Sequence, residues 1–252
     1  MNDSLGNPQS VIIFGADSDI AKATMELLIK RRCKTLYLGG RNIQALEQVA
    51  KLATEYGATK VNTFHFDATE INKQKEIIEK LFSESDGIDL ALIAFGILGD
   101  QSQYELDIEK TATLMTTNYI GAATTGLLLS LEMKSQGYGN IVVLSSVAAE
   151  RARKENFIYG SSKAAMDVFF QGLGDSLQDS PVRVMIVRPG FVHTKMTQGM
   201  KPFPFSSTPE SVAKEIISGL EAKSEMIWAP PILRWVMSVV RHLPRFIYRK
   251  IT

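Results

Sequence analysis

The sequence predicts an α/β fold in which a single doubly wound parallel sheet is covered by helices on both faces. Six short apolar runs, rich in β-branched residues, alternate with longer stretches of helical spacing. Strands that are apolar throughout and alternate with helices are typical of a parallel sheet buried on both faces. No linker interrupts the alternation, so we expect one Rossmann-type domain over residues 1–225.

The predicted strands and helices follow one another in a regular order. Apolar strand-like runs lie at residues 11–15, 34–40, 61–67, 88–96, 140–146 and 182–190. Between them, apolar residues recur three or four positions apart near residues 23–31, 43–56, 73–84 and 105–134. We expect the crossovers between parallel strands to be right-handed. In sheets of this kind ligands bind at the carboxyl ends of the strands, so we expect the functional site there.

Composition is that of a soluble globular protein with a large core. Of the 252 residues, 45% are hydrophobic and 22% charged, and the net charge is +1. That balance argues against nucleic acid as a partner. The single cysteine, Cys33, excludes an intramolecular disulfide and suits a reducing compartment. The three histidines are too scattered for a metal site, so no metal is expected.

The two ends of the chain differ in character. The first ten residues are polar, and no apolar segment reaches the roughly 18–20 residues that span a bilayer. Residues 226–252 instead carry five basic side chains and no acidic one, among many aromatic and aliphatic residues. Such a basic amphipathic tail suits an anionic membrane surface or a polyprenyl phosphate held by arginines. We therefore expect a cytoplasmic protein with peripheral membrane contact; a core-packing lid or dimer contact is the alternative.

The first predicted βα turn, FGADSDIA, has the position of a dinucleotide-phosphate loop but keeps one glycine. Gly15 can make the turn, whereas Asp19 stands where a second glycine is usual. Either Ser18 or Asp19 can cap the following helix. If the Asp19 carboxylate turns away, the backbone there can still face an anion. The residues predicted to hold the pyrophosphate are Gly15, Ser18, Asp19 and Ile20; the alternative is a plain strand–helix joint.

The ends of the next three predicted strands carry further cofactor candidates. Arg41 follows the second strand, where an acid would hold a free ribose 2′-hydroxyl, and an arginine favours the 2′-phosphate of NADP(H). Asp67 can accept a hydrogen bond from the adenine amino group. Ala94, Phe95 and Gly96 can let the backbone contact the adenosine ribose. Strand ends often carry such residues for structural reasons alone.

The strongest chemical signal is a set of four residues. Tyr159 and Lys163 are four apart, on one face of a predicted helix. Ser146 ends the fifth predicted strand, and Asn118 lies in the long preceding helix. A free tyrosine has a pKa of about 10, and we expect the Lys163 ammonium to lower it. Tyr159 can then exchange the proton while Ser146 holds the substrate oxygen, and Asn118 can anchor a water that relays protons to Lys163.

The sixth predicted strand is followed by PGFVHT, which completes the predicted nicotinamide site. Pro189 and Gly190 shape this loop, and Val192 and Thr194 are placed to bind the carboxamide. Lys163 can also hold the nicotinamide ribose. The loop over residues 198–208 is expected to be a substrate flap. An exposed Tyr–Lys helix pair is the plainer alternative for the catalytic motif, but the strand-end residues make it less favourable.

These motifs resemble those of the short-chain dehydrogenases/reductases over about residues 10–230. The set Asn118, Ser146, Tyr159 and Lys163 carries the resemblance. It implies a Rossmann-type fold, NAD(H) or NADP(H), and dimers or tetramers formed through the long helices. The sequence departs from the usual pattern in its glycine loop and in AFG (94–96), where NAG is common.

Other segments resemble one subgroup of that family, the decaprenylphosphoryl-2-keto-ribose reductases of cell-wall arabinan synthesis. These segments are residues 7–9, 94–100, 155–163 and 227–250. The resemblance implies reduction of a polyprenyl-phosphate keto-sugar with NADH, and a flavin-dependent oxidase as partner. It conflicts with the NADP(H) preference that Arg41 predicts. Two alternatives stay open: a reductase of another lipid-like carbonyl (acyl, steroid or retinoid), and a non-catalytic dinucleotide-sensing scaffold.

Overall fold

A computed structural model describes residues 6–250, and its centre is a seven-stranded sheet in which every neighbouring pair of strands is parallel. The strand order is β3-β2-β1-β4-β5-β6-β7. The strands are β1 (Ser10–Phe14), β2 (Thr35–Gly40), β3 (Lys60–His65), β4 (Leu90–Ile93), β5 (Gly139–Leu144), β6 (Val182–Pro189) and β7 (Met226–Ala229). The predicted α/β class and parallel sheet are confirmed.

Helices cover both faces of the sheet. They are α1 (Asp19–Lys30), α2 (Ile43–Glu55), α3 (Ile71–Ser83), α4 (Gln101–Tyr104), α5 (Ile108–Met115), α6 (Ala122–Gln136), α7 (Phe157–Ser176), α8 (Pro209–Glu221), α9 (Leu233–His242) and α10 (Arg245–Tyr248). Helices α1, α2 and α8 pack on one face, and α3, α6 and α7 pack on the other.

The residues of β1 show how the sequence builds two core layers. Successive side chains of a strand point to opposite faces of the sheet. Val11 and Ile13 therefore belong to the core layer under α1, α2 and α8, whereas Ile12 and Phe14 belong to the other layer. All four are fully buried, and each such burial stabilises the fold by about 1.5–3 kcal/mol.

The strand order reverses between β1 and β4, and this switch point is where doubly wound sheets bind their ligands. Gly15 and Phe95, which follow these two strands, meet there. Gly15 has a φ of +78°, and a Cβ at this position would lie 2.6 Å from the Phe95 backbone nitrogen. Both the left-handed backbone and the close approach therefore require glycine at this one position of the loop.

One boundary differs from the prediction. The sequence predicts that the tail starts at residue 226, but Met226–Ala229 form β7, which pairs in parallel with β6. The sheet therefore extends to Ala229, and the tail begins after it. A four-residue strand next to two prolines is too short to show a clear periodicity. Residues 1–5 and 251–252, the outer ends of the two predicted segments, lie outside the described residues.

Beyond β7, the tail forms α9 and α10 and packs onto the domain. The guanidinium of Arg151 donates hydrogen bonds to the carbonyl oxygens of Val240 (3.3 Å) and Arg241 (2.6 Å), at the end of α9. It also lies 4.3 Å from the centre of the Tyr248 ring. Between residues 6 and 250, none of the helices has the length and apolar character needed to cross a membrane.

Candidate active site

One cavity of about 1330 Å³ runs along the carboxyl ends of the strands. Its walls come from the loops after β1 to β6, from the start of α7 and from α9. It is larger than the roughly 300–1,000 Å³ of most small-ligand pockets, so it has room for a dinucleotide and a substrate. It is lined by all the residues predicted to hold the cofactor: Gly15, Ser18, Asp19, Ile20, Arg41, Asp67, Ala94, Phe95, Gly96, Tyr159, Lys163, Pro189, Gly190, Val192 and Thr194.

The glycine loop leads into the first turn of α1. The Ser18 hydroxyl accepts a hydrogen bond from Ala21 N at 3.5 Å, so Ser18 rather than Asp19 caps the helix. Asp19 and Ile20 open the helix, where backbone N–H groups have no intrahelical acceptor and favour an anion. The backbone N–H groups of this loop can therefore bind a pyrophosphate, although the loop has only one glycine.

Both carboxylates of this loop are paired. Asp19 accepts a hydrogen bond from the backbone N–H of Lys195 (2.8 Å) and forms an ion pair with Lys22 (2.8 Å). Asp17, for which the sequence suggests no role, forms an ion pair with the Lys195 ammonium at 3.2 Å. Both oxygens of the Asp19 carboxylate therefore have a partner, and its place in a working phosphate loop stays a prediction.

The adenosine candidates lie at the ends of β2 and β3. Arg41 is exposed and borders the cavity. Asp67 Oδ1 accepts hydrogen bonds from the backbone and hydroxyl of Thr69, at 2.8 and 2.7 Å. Burial opposes ionisation of Asp67, but the Thr69 bonds and the charge of Arg41 outweigh it and lower the pKa of this carboxyl. The carboxylate is therefore an acceptor at neutral pH, next to a cation.

Tyr159 and Lys163 lie one turn apart at the start of α7, and both face the cavity. Ser146 follows β5, and its hydroxyl accepts a hydrogen bond from Ala148 N at 3.1 Å. Burial raises the pKa of Tyr159 to about 12, and a hydrogen bond with Ser146 opposes the shift only in part. Tyr159 is therefore a neutral phenol at physiological pH, the form that can donate a proton.

The sequence predicts that the Lys163 ammonium lowers the pKa of Tyr159. This prediction is wrong in sign, because the pKa of Tyr159 is raised. Lys163 Nζ donates a hydrogen bond to the carbonyl oxygen of Leu144 at 2.7 Å, and the residue is 4% exposed. Burial lowers the pKa of Lys163 to about 8, and the charge of Asp167 offsets part of that shift. Burial therefore outweighs the Ser146 hydrogen bond at Tyr159 and the charge of Asp167 at Lys163.

Asn118 lies beneath the cavity rather than on its wall. It sits in a π-helical turn (Thr116–Gly121) that separates α5 from α6. Such turns frequently mark functional sites. Its side-chain oxygen accepts from Ile97 N at 2.7 Å, and its amide donates to Ile97 O (2.8 Å) and Ser162 Oγ (3.0 Å). These bonds fasten the loop after β4 to α7, and the proton relay through Asn118 stays a prediction.

The loop after β6 is fixed by its own hydrogen bonds. Gly190 N donates to the carbonyl oxygen of Ala229 at 2.9 Å, which ties this loop to the end of β7. The hydroxyl of Thr197 donates to the carbonyl oxygen of Val192 at 2.6 Å. Thr194 opens the short 3₁₀ turn that follows. The predicted carboxamide-binding residues thus lie on an ordered loop at the cavity wall.

Several lining residues were missed from the sequence. Arg153 and Asn156 border the cavity before α7, and Lys195 borders it after β6. The α9 side chains Leu233, Val236, Met237 and Val240 line it from the opposite side. Their spacing of three and four residues could have identified an inward helix face. No sequence signal pairs Lys195 with carboxylates more than 170 positions away.

Comparisons with known proteins identify the family. The family model described as short chain dehydrogenase matches residues 9–203. The chain belongs to the short-chain dehydrogenase family. An uncharacterized oxidoreductase of Streptomyces coelicolor is 43% identical over 99% of this chain and 98% of its own. A Burkholderia cenocepacia short chain dehydrogenase in complex with NADP superposes with a TM-score of 0.81 at 21% identity, covering 96% of each chain. A Burkholderia phymatum dehydrogenase in complex with NAD also gives 0.81, at 18% identity and 92% coverage of each.

As a short-chain dehydrogenase, the protein is an NAD(P)-dependent oxidoreductase. When bound, the dinucleotide supplies or accepts a hydride. Ser146 and Tyr159 both line the cavity. The roles that the sequence predicts for them stay predictions: Ser146 would bind the carbonyl oxygen of a substrate, and Tyr159 would donate the proton to it. Lys163, charged below its pKa of about 8, then keeps a cation beside the reacting groups.

The lowered pKa of Lys163 predicts how this dehydrogenase responds to pH. Carbonyl reduction should be constant below pH 8 and fall about tenfold per pH unit above it, because the ammonium loses its proton while Tyr159 stays protonated. The Lys163→Arg variant keeps its positive charge at high pH. It should therefore show no fall in activity above pH 8, although its rate should be lower at every pH. Profiles of kcat/KM against pH measure both, and an unchanged limb in Lys163→Arg would contradict the assignment.

The position of Arg41 predicts a preference for NADPH. If Arg41 meets a 2′-phosphate, Arg41→Ala should raise the Kd of NADPH about tenfold and leave that of NADH nearly unchanged. Fluorescence titration with each cofactor measures this, with the exposed Arg183→Ala, at the opposite end of β6 from the cavity, as the control. NADH binding that is much tighter than NADPH binding and insensitive to Arg41→Ala would overturn the charge argument.

Proposed function

We propose that this short-chain dehydrogenase reduces the 2-keto group of decaprenylphospho-2-keto-β-D-erythro-pentofuranose with NAD(P)H, giving decaprenylphosphoryl-β-D-arabinofuranose. The observation that carries the proposal is the apolar wall that α9 contributes to the cavity. One face of α9 closes the same cavity that Tyr159 and Lys163 enter, and the side chains on that face are apolar. A substrate with a reactive sugar and a long apolar chain matches a site with polar chemistry at one side and an apolar wall at the other.

The wall next to α9 adds aromatic side chains and a cation. Phe191, Phe203 and Phe205 line the cavity together with Arg153, whose guanidinium lies 5.1 Å from the centre of the Phe203 ring. The sequence predicts that tail arginines meet the phosphate, yet the described tail residues that line the cavity are apolar. Arg153 is therefore the residue that we assign to the lipid phosphate.

A sugar also needs acceptors for its hydroxyl groups, and Asn156 offers one. Its side-chain oxygen is buried, and no hydrogen-bond partner for it exists within residues 6–250. Asn156 lines the cavity just before α7, three residues from Tyr159. A buried acceptor without a donor costs free energy of about 1–3 kcal/mol, which a substrate hydroxyl can recover. Because this oxygen is buried, the Asn156 side chain has to turn toward the cavity to make the contact, and a hydroxylated substrate is then favoured over a plain acyl or steroid ketone.

The decisive experiment supplies the keto-sugar lipid, made in place from its ribose epimer by a flavin-dependent oxidase, the partner that we propose. Oxidation of NADH or NADPH should depend on both proteins, with kcat/KM at least about a hundredfold above that for simple ketones, because remote contacts contribute to transition-state binding. Tyr159→Phe should lower turnover by about 10²–10⁴-fold and keep cofactor binding.

Each other result points to one of the alternatives. Turnover of acyl, steroid or retinoid ketones without turnover of the keto-sugar lipid would indicate a different lipid-like substrate. Cofactor binding without turnover of any carbonyl would indicate a dinucleotide-sensing scaffold. Undiminished turnover by Tyr159→Phe would show that another group donates the proton.

We also propose that the outer face of the tail contacts an anionic membrane. Trp235, Val239 and Phe246 are each at least 64% exposed, and arginines flank them. An exposed apolar face with a basic border suits anionic headgroups. The inner face of α9 lines the cavity, so a lipid substrate would have a short path from the bilayer to the site.

The tail proposal predicts binding to vesicles. The double variant Trp235→Ser/Val239→Ser should reduce binding to vesicles with anionic lipids about tenfold or more, because it removes two large apolar side chains from the exposed face of α9. Sedimentation with anionic and with neutral vesicles measures it. Leu131→Ser/Val168→Ser removes exposed apolar residues from α6 and α7 as the control. Equal binding by both double variants would rule out the proposed membrane face.

A further inference from the structure

The contacts between the glycine loop and the loop after β6 form one compact charge cluster. Lys195 donates its backbone N–H to Asp19 Oδ2 at 2.8 Å. Its ammonium donates to the carbonyl oxygen of Asp17 at 2.8 Å and lies 3.2 Å from Asp17 Oδ2. Lys22 completes the cluster through its ion pair with Asp19. We call Asp17, Asp19, Lys22 and Lys195 the charge clasp.

The charges of the clasp balance only because Lys195 is present. Burial opposes ionisation of Asp19, but the hydrogen bonds from Lys22 and from the Lys195 backbone, with the charges of both lysines, lower the pKa of its carboxyl. The Asp19 carboxyl is thus charged at neutral pH, and the cluster as a whole holds two acidic and two basic side chains. Without Lys195 the loop would carry one net negative charge where a pyrophosphate must approach.

The clasp lies on the wall of the cavity that holds the cofactor candidates. Asp17, Asp19 and Lys195 all line it, beside Ser18 and Ile20 at the start of α1. An anion bound at the first turn of α1 therefore lies close to all three charged side chains. The helix start attracts the anion, the carboxylates repel it, and Lys195 decides the balance.

Fold stability does not explain the clasp. The side chains of Lys195 and Asp17 are 58% and 40% exposed, and ion pairs in such positions add little to stability. Long-range electrostatic effects on a charged ligand remain large at low ionic strength even for exposed groups. The role of the cluster is thus more readily found in ligand binding than in folding.

We propose that Lys195 is a positioning residue for the dinucleotide: by neutralising Asp17 and Asp19, it makes a phosphate loop with two carboxylates compatible with a pyrophosphate. The loop can then lack its usual glycines without repelling its ligand. The same contacts hold Thr194, the residue before Lys195, next to the start of α1. The proposal concerns the cofactor alone and does not depend on the identity of the carbonyl substrate.

The test compares the Kd of NADH and NADPH across a set of variants at low salt. Lys195→Met should raise both values about fivefold to tenfold, because the carboxylates lose their counter-charge. Lys195→Arg should bind nearly as the unchanged protein does. Asp17→Asn/Asp19→Asn, with Lys195 kept, should bind as tightly or more tightly. Adding both Asn changes to Lys195→Met should restore binding to within about twofold of the unchanged protein.

Salt and a matched control separate the charge effect from damage to the loop. The loss in Lys195→Met should shrink as ionic strength rises, because exposed charges are screened. Lys75→Met removes an exposed lysine that is also paired with a carboxylate, on α3, and should leave both Kd values unchanged.

Three results would overturn the proposal. They are unchanged binding by Lys195→Met at low salt, a triple variant as weak as Lys195→Met, and weaker binding by Asp17→Asn/Asp19→Asn. The last two would show that Lys195 merely anchors the loop. The double Asn variant retains Lys195, so it decides the matter even if Lys195→Met fails to fold.

Discussion

The attachment of helix α7 to the sheet depends on a buried ion pair between Arg188 and Asp167. Arg188, on β6, donates two hydrogen bonds to the carboxylate of Asp167, on α7, at 2.9 and 2.6 Å. The two residues are 7% and 2% exposed. Two charges can be buried only when their geometry satisfies both, and removing one partner typically costs about 3–5 kcal/mol. The pair therefore fixes α7 relative to the sheet.

Other parts of the active site are attached to this pair. The Ser145 hydroxyl donates to Asp167 at 2.6 Å, which fixes the end of β5 just before Ser146. Glu150 lies 3.5 Å from the Arg188 guanidinium and accepts a hydrogen bond from the Trp228 ring of β7 at 2.7 Å. Strands β5, β6 and β7 and helix α7 are thus joined by one network. The negative charge of Asp167 also keeps Lys163, one turn before it, from losing more of its affinity for protons.

A feature could be predicted from the sequence when the residues that determine it are close together along the chain, and not when they are far apart. Strand alternation and the Tyr159–Lys163 spacing are local, so the sheet and the shared helix face follow from the sequence. The pKa direction of Tyr159 does not, because it depends on burial by segments far along the chain. Strand β7 escaped prediction because it is short and is followed at once by two prolines, and the role of Asp17 depends on Lys195, 178 positions away.

The two charge clusters of the molecule illustrate how the same interaction serves different ends. Around Arg188 the charges are buried, so each must keep its partner for the chain to fold. In the clasp the charges reach solvent, where losing a partner costs little stability but changes the field at the start of α1. A loop with one glycine and two carboxylates is then compatible with a dinucleotide site because the backbone requires glycine only where Gly15 meets Phe95, and charge balance meets the remaining requirement.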